Sequence, residues 1–230
     1  MIIIPKQIIT VNSSMEILTN HFIEIENGVI TKIDKIENLD VNTNDVYRFS
    51  NLTLLPGFVQ THIHLCQTLF RGLADDMQLL DWLQKRIFPY ENNHSRDSLR
   101  ASAKLGISEL FLSGTTTLLD MGTMNHQQVV FEEMINSGIR GFSGKCMIDE
   151  NDLFPTFKES TESSLSSSIE LAKEFHNVEN GRIKYGFAPR FVLSCSEGLM
   201  KETSSIMNDF ENALASADIL VSTGGVSVGD

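Results

Sequence analysis

Short runs of apolar and β-branched residues set against charged or polar neighbours mark the first 55 residues: Gln7-Ile8-Ile9-Thr10-Val11, His21-Phe22-Ile23-Glu24-Ile25-Glu26 and Val29-Ile30-Thr31-Lys32-Ile33. A two-residue period turns one side of each run toward a core, which predicts three short strands. Asn27-Gly28 between the second and third supplies the positive φ values that a tight hairpin needs. The apolar start Met1-Ile2-Ile3-Ile4 is broken by Pro5 and Lys6 and is too short for a membrane span.

From Phe58 the pattern changes to strands alternating with helices, as in a parallel sheet with crossover helices. Strands are expected at Phe58 to His62, Thr115 to Asp120, Arg140 to Met147 and Arg182 to Ala188, and helices at about Leu79 to Ile87, Ser95 to Leu112, Gln127 to Ser137, Ser160 to Phe175 and Glu197 to Asn208. Gly114, Gly138 and Gly181 follow three of these helices, where glycine can end a last turn. Asn151 to Ser168 reads as a long connection running into a helix, either solvated and mobile or a lid over the functional face.

Within this pattern, Pro56-Gly57-Phe58-Val59-Gln60-Thr61-His62-Ile63-His64 carries the chemistry. Side chains at i and i+2 share a strand face, so His62 and His64 can grip one metal ion. Each can equally be a strand histidine satisfied by hydrogen bonds. The other histidines lie elsewhere: His21 in the β unit, His94 and His126 at helix starts, His176 at a helix end.

The residues after the pair, Leu65-Cys66-Gln67-Thr68-Leu69-Phe70-Arg71-Gly72-Leu73-Ala74-Asp75-Asp76, then Leu79-Leu80-Asp81-Trp82-Leu83 and Ile87-Phe88-Pro89-Tyr90-Glu91, resemble the amidohydrolase superfamily. The likeness is to its triazine hydrolase, guanine deaminase and adenosine-type deaminase branch. It continues through Ser113-Gly114-Thr115-Thr116-Thr117, Asp120-Met121-Gly122, Gly138-Ile139-Arg140 and Ala188-Pro189-Arg190-Phe191-Val192-Leu193-Ser194-Cys195-Ser196, covering about residues 1 to 208. The resemblance implies an α/β fold, a partial (β/α)8 TIM barrel over residues 56–208. It also implies that residues 1–55 form half of a β-sandwich. Eight such units typically take about 250 residues, so the chain holds about half of a barrel.

The resemblance further implies a metal-dependent hydrolase that deaminates a purine-like or related N-heterocycle. His62 and His64 would hold one divalent ion, zinc first and iron second. Gln67, Trp82, Glu91, Arg190 and Phe191 fall where relatives contact the heterocycle or its sugar. Arg190 offers fixed donors, Phe191 and Trp82 flat apolar faces, and Glu91 acceptor oxygens. Core packing is the competing reading for Trp82, and a structural ion pair for Arg190. The later-strand histidines, catalytic Glu and Asp of the family have no counterpart, so no general base is assigned.

Composition narrows the partners. A formal net charge of −12 with only 18 Lys and Arg disfavours nucleic acid and anionic membrane, leaving a small molecule. Cys66, Cys146 and Cys195 are scattered, which fits a reducing, cytoplasmic setting rather than a disulfide framework. No window approaches the eighteen apolar residues of a membrane span, and no signal peptide or anchor is read. The motifs of the other zinc deaminases, of P-loop NTPases and of serine hydrolases are missing. Unpaired sheet edges at the first and fourth barrel strands would favour a homo-oligomer.

Ala217 to Asp230 is an apolar run entering a glycine-rich loop with Gly224, Gly225, Ser227 and Gly229. It resembles the molybdopterin-binding loop of molybdopterin molybdenumtransferases. The expectation is a foreign tail over 209–230, joined near Met207 to Glu211. A fragment of a molybdenum cofactor protein, or a noncatalytic chimera, is therefore the alternative function.

Overall fold

The computed structural model describes residues 1–40, 45–73 and 76–213. The chain divides into two compact units, Met1–Gly57 and Phe58–Asp230.

The first unit is one five-stranded sheet made of β1 (Ile2–Ile9), β2 (Ile17–Thr19), β3 (His21–Glu26), β4 (Val29–Lys35) and β5 (Val46–Leu54). β1 runs antiparallel to β2 and β3 and parallel to β5. Asn27 (φ 49°) and Gly28 (φ 78°) form the expected tight turn between β3 and β4. The first strand starts five residues earlier than its sequence pattern predicts and passes straight through Pro5. Ile2, Ile4 and Ile8 share one buried face, and their burial outweighs the amide that Pro5 lacks. The ladder to β5 slips between Pro5 and Gln7, where the proline interrupts it. Val29 and Ile30 on β4 stay 62% and 56% exposed, so this sheet buries only part of its apolar surface.

In the second unit, β6 (Phe58–Ile63), β7 (Thr115–Asp120), β8 (Arg140–Ser143) and β10 (Ile183–Tyr185) form a parallel sheet in chain order. β9 (Cys146–Met147) and β11 (Ala188–Pro189) make a short parallel pair beyond it. The two long strands predicted over 140–147 and 182–188 are thus each broken, at Gly144 and Gly186. A Cβ on Gly144 would sit 1.7 Å from the Gly186 oxygen, and one on Gly122 would sit 1.7 Å from the Gly144 oxygen. Glycine is required where these backbones close on each other.

Helices α1 (Leu79–Trp82), α2 (Phe88–Asn92), α3 (Arg96–Leu112), α4 (Gln128–Ser137), α5 (Thr161–Phe175), α6 (Val178–Gly181) and α7 (Glu197–Ala213) fill the connections. Ser95 and Ser160 cap α3 and α5 through their hydroxyls, and Gly138 (φ 80°) ends α4. Gly181 does not end α5. That helix stops at Phe175, and Gly181 closes the separate turn α6. The helix predicted over 79–87 continues to Asn92 through a π-helical turn at Leu83–Ile87, just before Pro89, whose missing amide removes a normal helical bond.

Leu99, Ala103, Ile107 and Leu110 recur at helical spacing on α3 and join Leu65, Leu118, Val130, Phe131 and Tyr185 in the main core. Phe131 stacks on Phe175 with centroids 4.6 Å apart. The connection from Asn151 is not a solvated link. Phe157 is fully buried against Phe88, and Asn151 bonds the Phe157 oxygen (3.0 Å) and the Phe154 amide (3.0 Å). Helix α7 runs unbroken through the expected junction near Met207 to Glu211. The glycine-rich residues Gly224, Gly225, Ser227 and Gly229 lie outside the described residues. β6 and β10 are the two ends of the parallel sheet among the described residues, which form no closed barrel.

Candidate active site

The site gathers where β6 ends and the chain turns away. His62 and His64 face each other edge to face, with ring centroids 5.3 Å apart and planes at 76°. Neither ring lies in a closed apolar core, and His64 stands one residue past the end of β6. With Gln67, Thr68, Arg71, Gly106 and Glu109 they line a cavity of about 610 Å³.

The two rings are not equivalent. His62 is exposed, whereas the His64 Nδ1 is buried with no hydrogen-bond partner among the described residues. Burial, aided by the Arg190 charge, lowers the pKa of His64 from 6.5 to about 4, although Glu91 and the Gly122 backbone act the other way. The ring is therefore neutral at pH 7, and its Nδ1 is left without a hydrogen-bond partner among the described residues. A neutral imidazole with an orphaned nitrogen is the form that binds metal. Among the described residues no group of three His, Cys, Asp or Glu side chains is placed to hold an ion.

Because its folded pKa is depressed, His64 contributes stability that is full above about pH 6.5 and lost as pH falls toward about 4. An imidazole NMR titration should place its midpoint near 4. A midpoint near 6.5 would show the ring to be solvated.

The turn after His64 is fastened at nearly every residue. The Leu65 amide donates to Asp120 Oδ1 (2.8 Å), and the Ser102 hydroxyl donates to the Leu65 carbonyl (2.7 Å). His94 Nε2 meets the Cys66 carbonyl at 2.8 Å while its Nδ1 meets Ser98 Oγ at 2.8 Å. Gly106 lets α3 approach so closely that a Cβ there would lie 2.7 Å from Thr68 Oγ1. Asp120 in turn accepts from Ser143 Oγ (2.6 Å) and Gln127 Nε2 (3.4 Å). Sequence reasoning gave Asp120 and His94 no role at the site. The partners that tie each to this turn, Leu65 for Asp120 and Cys66 for His94, lie 55 and 28 residues away, and no local pattern marks them.

Gln67, Glu91 and Arg190 converge, but on one another. Glu91 is 0% exposed and bonds Arg190 twice, at 2.6 Å to Nη1 and 3.1 Å to Nη2. Gln67 Nε2 (2.8 Å) and Thr123 Oγ1 (3.2 Å) complete its partners. The expected acceptor for ligand hydroxyls is thus fully engaged within the protein, because a carboxylate so buried must be paired. Burial would raise the pKa of Glu91, yet the Arg190 charge holds it below its ordinary value. Glu91 likewise keeps Arg190 above its usual range despite burial. The guanidinium also rests over Phe88, 5.4 Å from its centroid.

Trp82 serves in two ways. It packs against the cluster of Ile87, Phe88 and Phe157, and it walls a cavity of about 310 Å³ with Gln67, Phe70 and Leu73. Gln67 borders both cavities, linking the histidine side to the aromatic side. Phe191, half-buried, has φ 60° and ψ 127°, a strained backbone conformation costing about 1–3 kcal/mol. The thiols of Cys66 and Cys146 both donate to the Gly122 carbonyl, at 3.5 and 3.4 Å, and burial pushes the Cys146 thiol up to about 12. Neither is placed to be a nucleophile.

Residues 53–222 match the amidohydrolase family. The matched span runs past the junction expected at Met207 to Glu211. A 5-methylthioadenosine/S-adenosylhomocysteine deaminase of Thermococcus onnurineus is 35% identical over 185 residues, which are 80% of this chain and 42% of that protein. E. coli guanine deaminase superposes with a TM-score of 0.82 at 28% identity, over 96% of this chain and 52% of that one. An adenosine deaminase from Xanthomonas campestris with bound zinc shares the fold, with a TM-score of 0.78 and 21% identity over 96% of this chain and 48% of that one. The chain therefore spans about half the length of the relatives it matches.

Proposed function

The chain belongs to the amidohydrolase family, and on that premise we propose that it carries the substrate-recognition face and two metal ligands of a hydrolytic deaminase acting on a purine-like N-heterocycle. The observation that carries this reading is the His62–His64 pair, with its orphaned Nδ1, beside Gln67, whose amide is held by the Glu91–Arg190 pair. The similar proteins named as deaminases of 5-methylthioadenosine and guanine support the substrate class.

His62 and His64 would hold one divalent ion, zinc by the zinc-bound structural neighbour and iron as the second choice. When bound, the ion supplies Lewis acidity, so that water becomes nucleophilic at neutral pH. In the overall reaction a C–N bond of the ring's amino carbon breaks, a C–O bond forms, and ammonia leaves.

The chain's own residues bind and orient. Trp82 and Phe191 offer flat faces to the ring, and Gln67 presents its amide between the two cavities. Arg190 keeps N–H groups beyond the two that Glu91 occupies and directs them at a ring carbonyl or nitrogen. Glu91 fixes that guanidinium and is not itself a ligand for substrate hydroxyls. The fold reading that goes with this function is a partial (β/α)8 barrel, with β6 as its first strand and the histidines at its C-terminal end, where such barrels place their chemistry.

Ammonia release from guanine, adenosine derivatives and triazines, with zinc or iron supplied, tests the proposal. The expected result is release from a purine that a chelator abolishes and that Arg190→Ala reduces at least about tenfold. Release indifferent to both would reject the mechanism.

A further inference from the structure

The turn that carries Arg190 and Phe191 is held by a carboxylate that the proposed chemistry does not use. Phe191 lies at φ 60°, where a side chain is strained, and a residue stays there only when its surroundings over-determine it. Asp149, two residues beyond β9, supplies much of that constraint. Its Oδ1 accepts from the Ser196 amide (2.7 Å), and its Oδ2 accepts from the Ser196 hydroxyl (2.6 Å) and the Thr161 hydroxyl (2.7 Å).

These donors sit at the starts of two helices. Thr161 opens α5, and Ser196 Oγ accepts from the Leu199 amide (3.0 Å) in the first turn of α7. One carboxylate therefore joins two helix N-termini, where negative charge is favoured. Burial would raise the Asp149 carboxyl, but the Ser196 and Thr161 donors hold it below its ordinary pKa, so it carries charge at neutral pH. The backbone completes the grip. The amides of Asp149 and Glu150 both reach the Ser194 carbonyl (3.2 Å each), and the Arg190 amide reaches the Met147 carbonyl (3.1 Å). Ser194 then closes the turn by donating to the Phe191 carbonyl at 2.8 Å.

We infer that Asp149 is a positioning residue for heterocycle recognition: by gripping Ser196 and Thr161 it fixes the Arg190–Ser196 turn and keeps Phe191 in its strained conformation, giving the ring one orientation. The inference rests on the reading of Phe191 as a face for the heterocycle.

Equilibrium dialysis with guanine as the probe tests it in the full chain, across Asp149→Ala, Phe191→Gly and the double variant. Asp149→Ala should weaken guanine binding at least about tenfold when Phe191 is present and less than about twofold in the Phe191→Gly background, where there is neither ring nor strain to hold. Equal losses in both backgrounds would reduce Asp149 to a general structural role and overturn the inference. If Asp149→Ala fails to fold, Asp149→Asn, which keeps one acceptor oxygen, should give a smaller loss confined to the Phe191 background. Should the unaltered chain take up no guanine, the recognition reading fails by itself, and amide exchange judges the clamp. Exchange at Ser194 at least about tenfold faster in the Asp149 variant supports the clamp, and unchanged exchange overturns it.

Discussion

Glu91→Gln should destabilise the chain by about 3 to 5 kcal/mol, because it removes one partner of a buried pair and leaves the Arg190 charge uncompensated. The side chain of Arg190 is 11% exposed and that of Glu91 is 0%, so solvent cannot make up the loss. A change of this size is a large part of the 5 to 15 kcal/mol that holds a typical domain together. The double variant Glu91→Gln with Arg190→Met should recover most of the stability, since no buried charge then lacks a partner. Urea unfolding of the two variants reads both effects. Acid supplies an independent check. The Glu91 carboxyl is depressed in the fold, so its contribution is complete above its ordinary pKa of 4.5 and fades as pH falls through the lower folded value. That acid-dependent component should vanish in Glu91→Gln. A variant within about 1 kcal/mol of the parent would mean that the pair is not the anchor described here.

The local parts of the fold were legible in the sequence, and the long-range parts were not. The Asn27-Gly28 turn and the starts of the helices near Ser95 and Ser160 depend on a few neighbouring residues, so pattern alone places them. The β7 strand over Thr115–Asp120 is found where its β-branched run predicts. The first strand starts at Ile2 rather than Gln7, because the packing of Ile2 and Ile4 against Phe22 is a tertiary effect that local chemistry does not reveal. The same holds for Glu91 and Arg190. The resemblance marks each as a ligand contact, but only the fold shows that they bond each other across 99 residues of chain. The strain at Phe191 and the fastening role of Asp149 also arise from contacts between separate βα connections. Neither has a sequence signature.

The second large effect concerns the histidines. The proposed metal site rests on His62 and His64 alone, since no group of three His, Cys, Asp or Glu side chains among the described residues could hold an ion. Paired replacement by alanine should abolish zinc uptake. Removing His64 alone should be the more damaging single change, since its Nδ1 is the orphaned, neutral one. The surrounding turn depends on Asp120, Ser102 and His94 rather than on either imidazole, so the double variant should keep its fold.

Zinc content after equilibration with the metal and gel filtration, compared between the parent chain and the His62→Ala, His64→Ala double variant, tests the account most directly. The account predicts zinc bound to the parent chain and lost from a double variant of unchanged circular dichroism. Equal zinc in the two, or none in either, would contradict it.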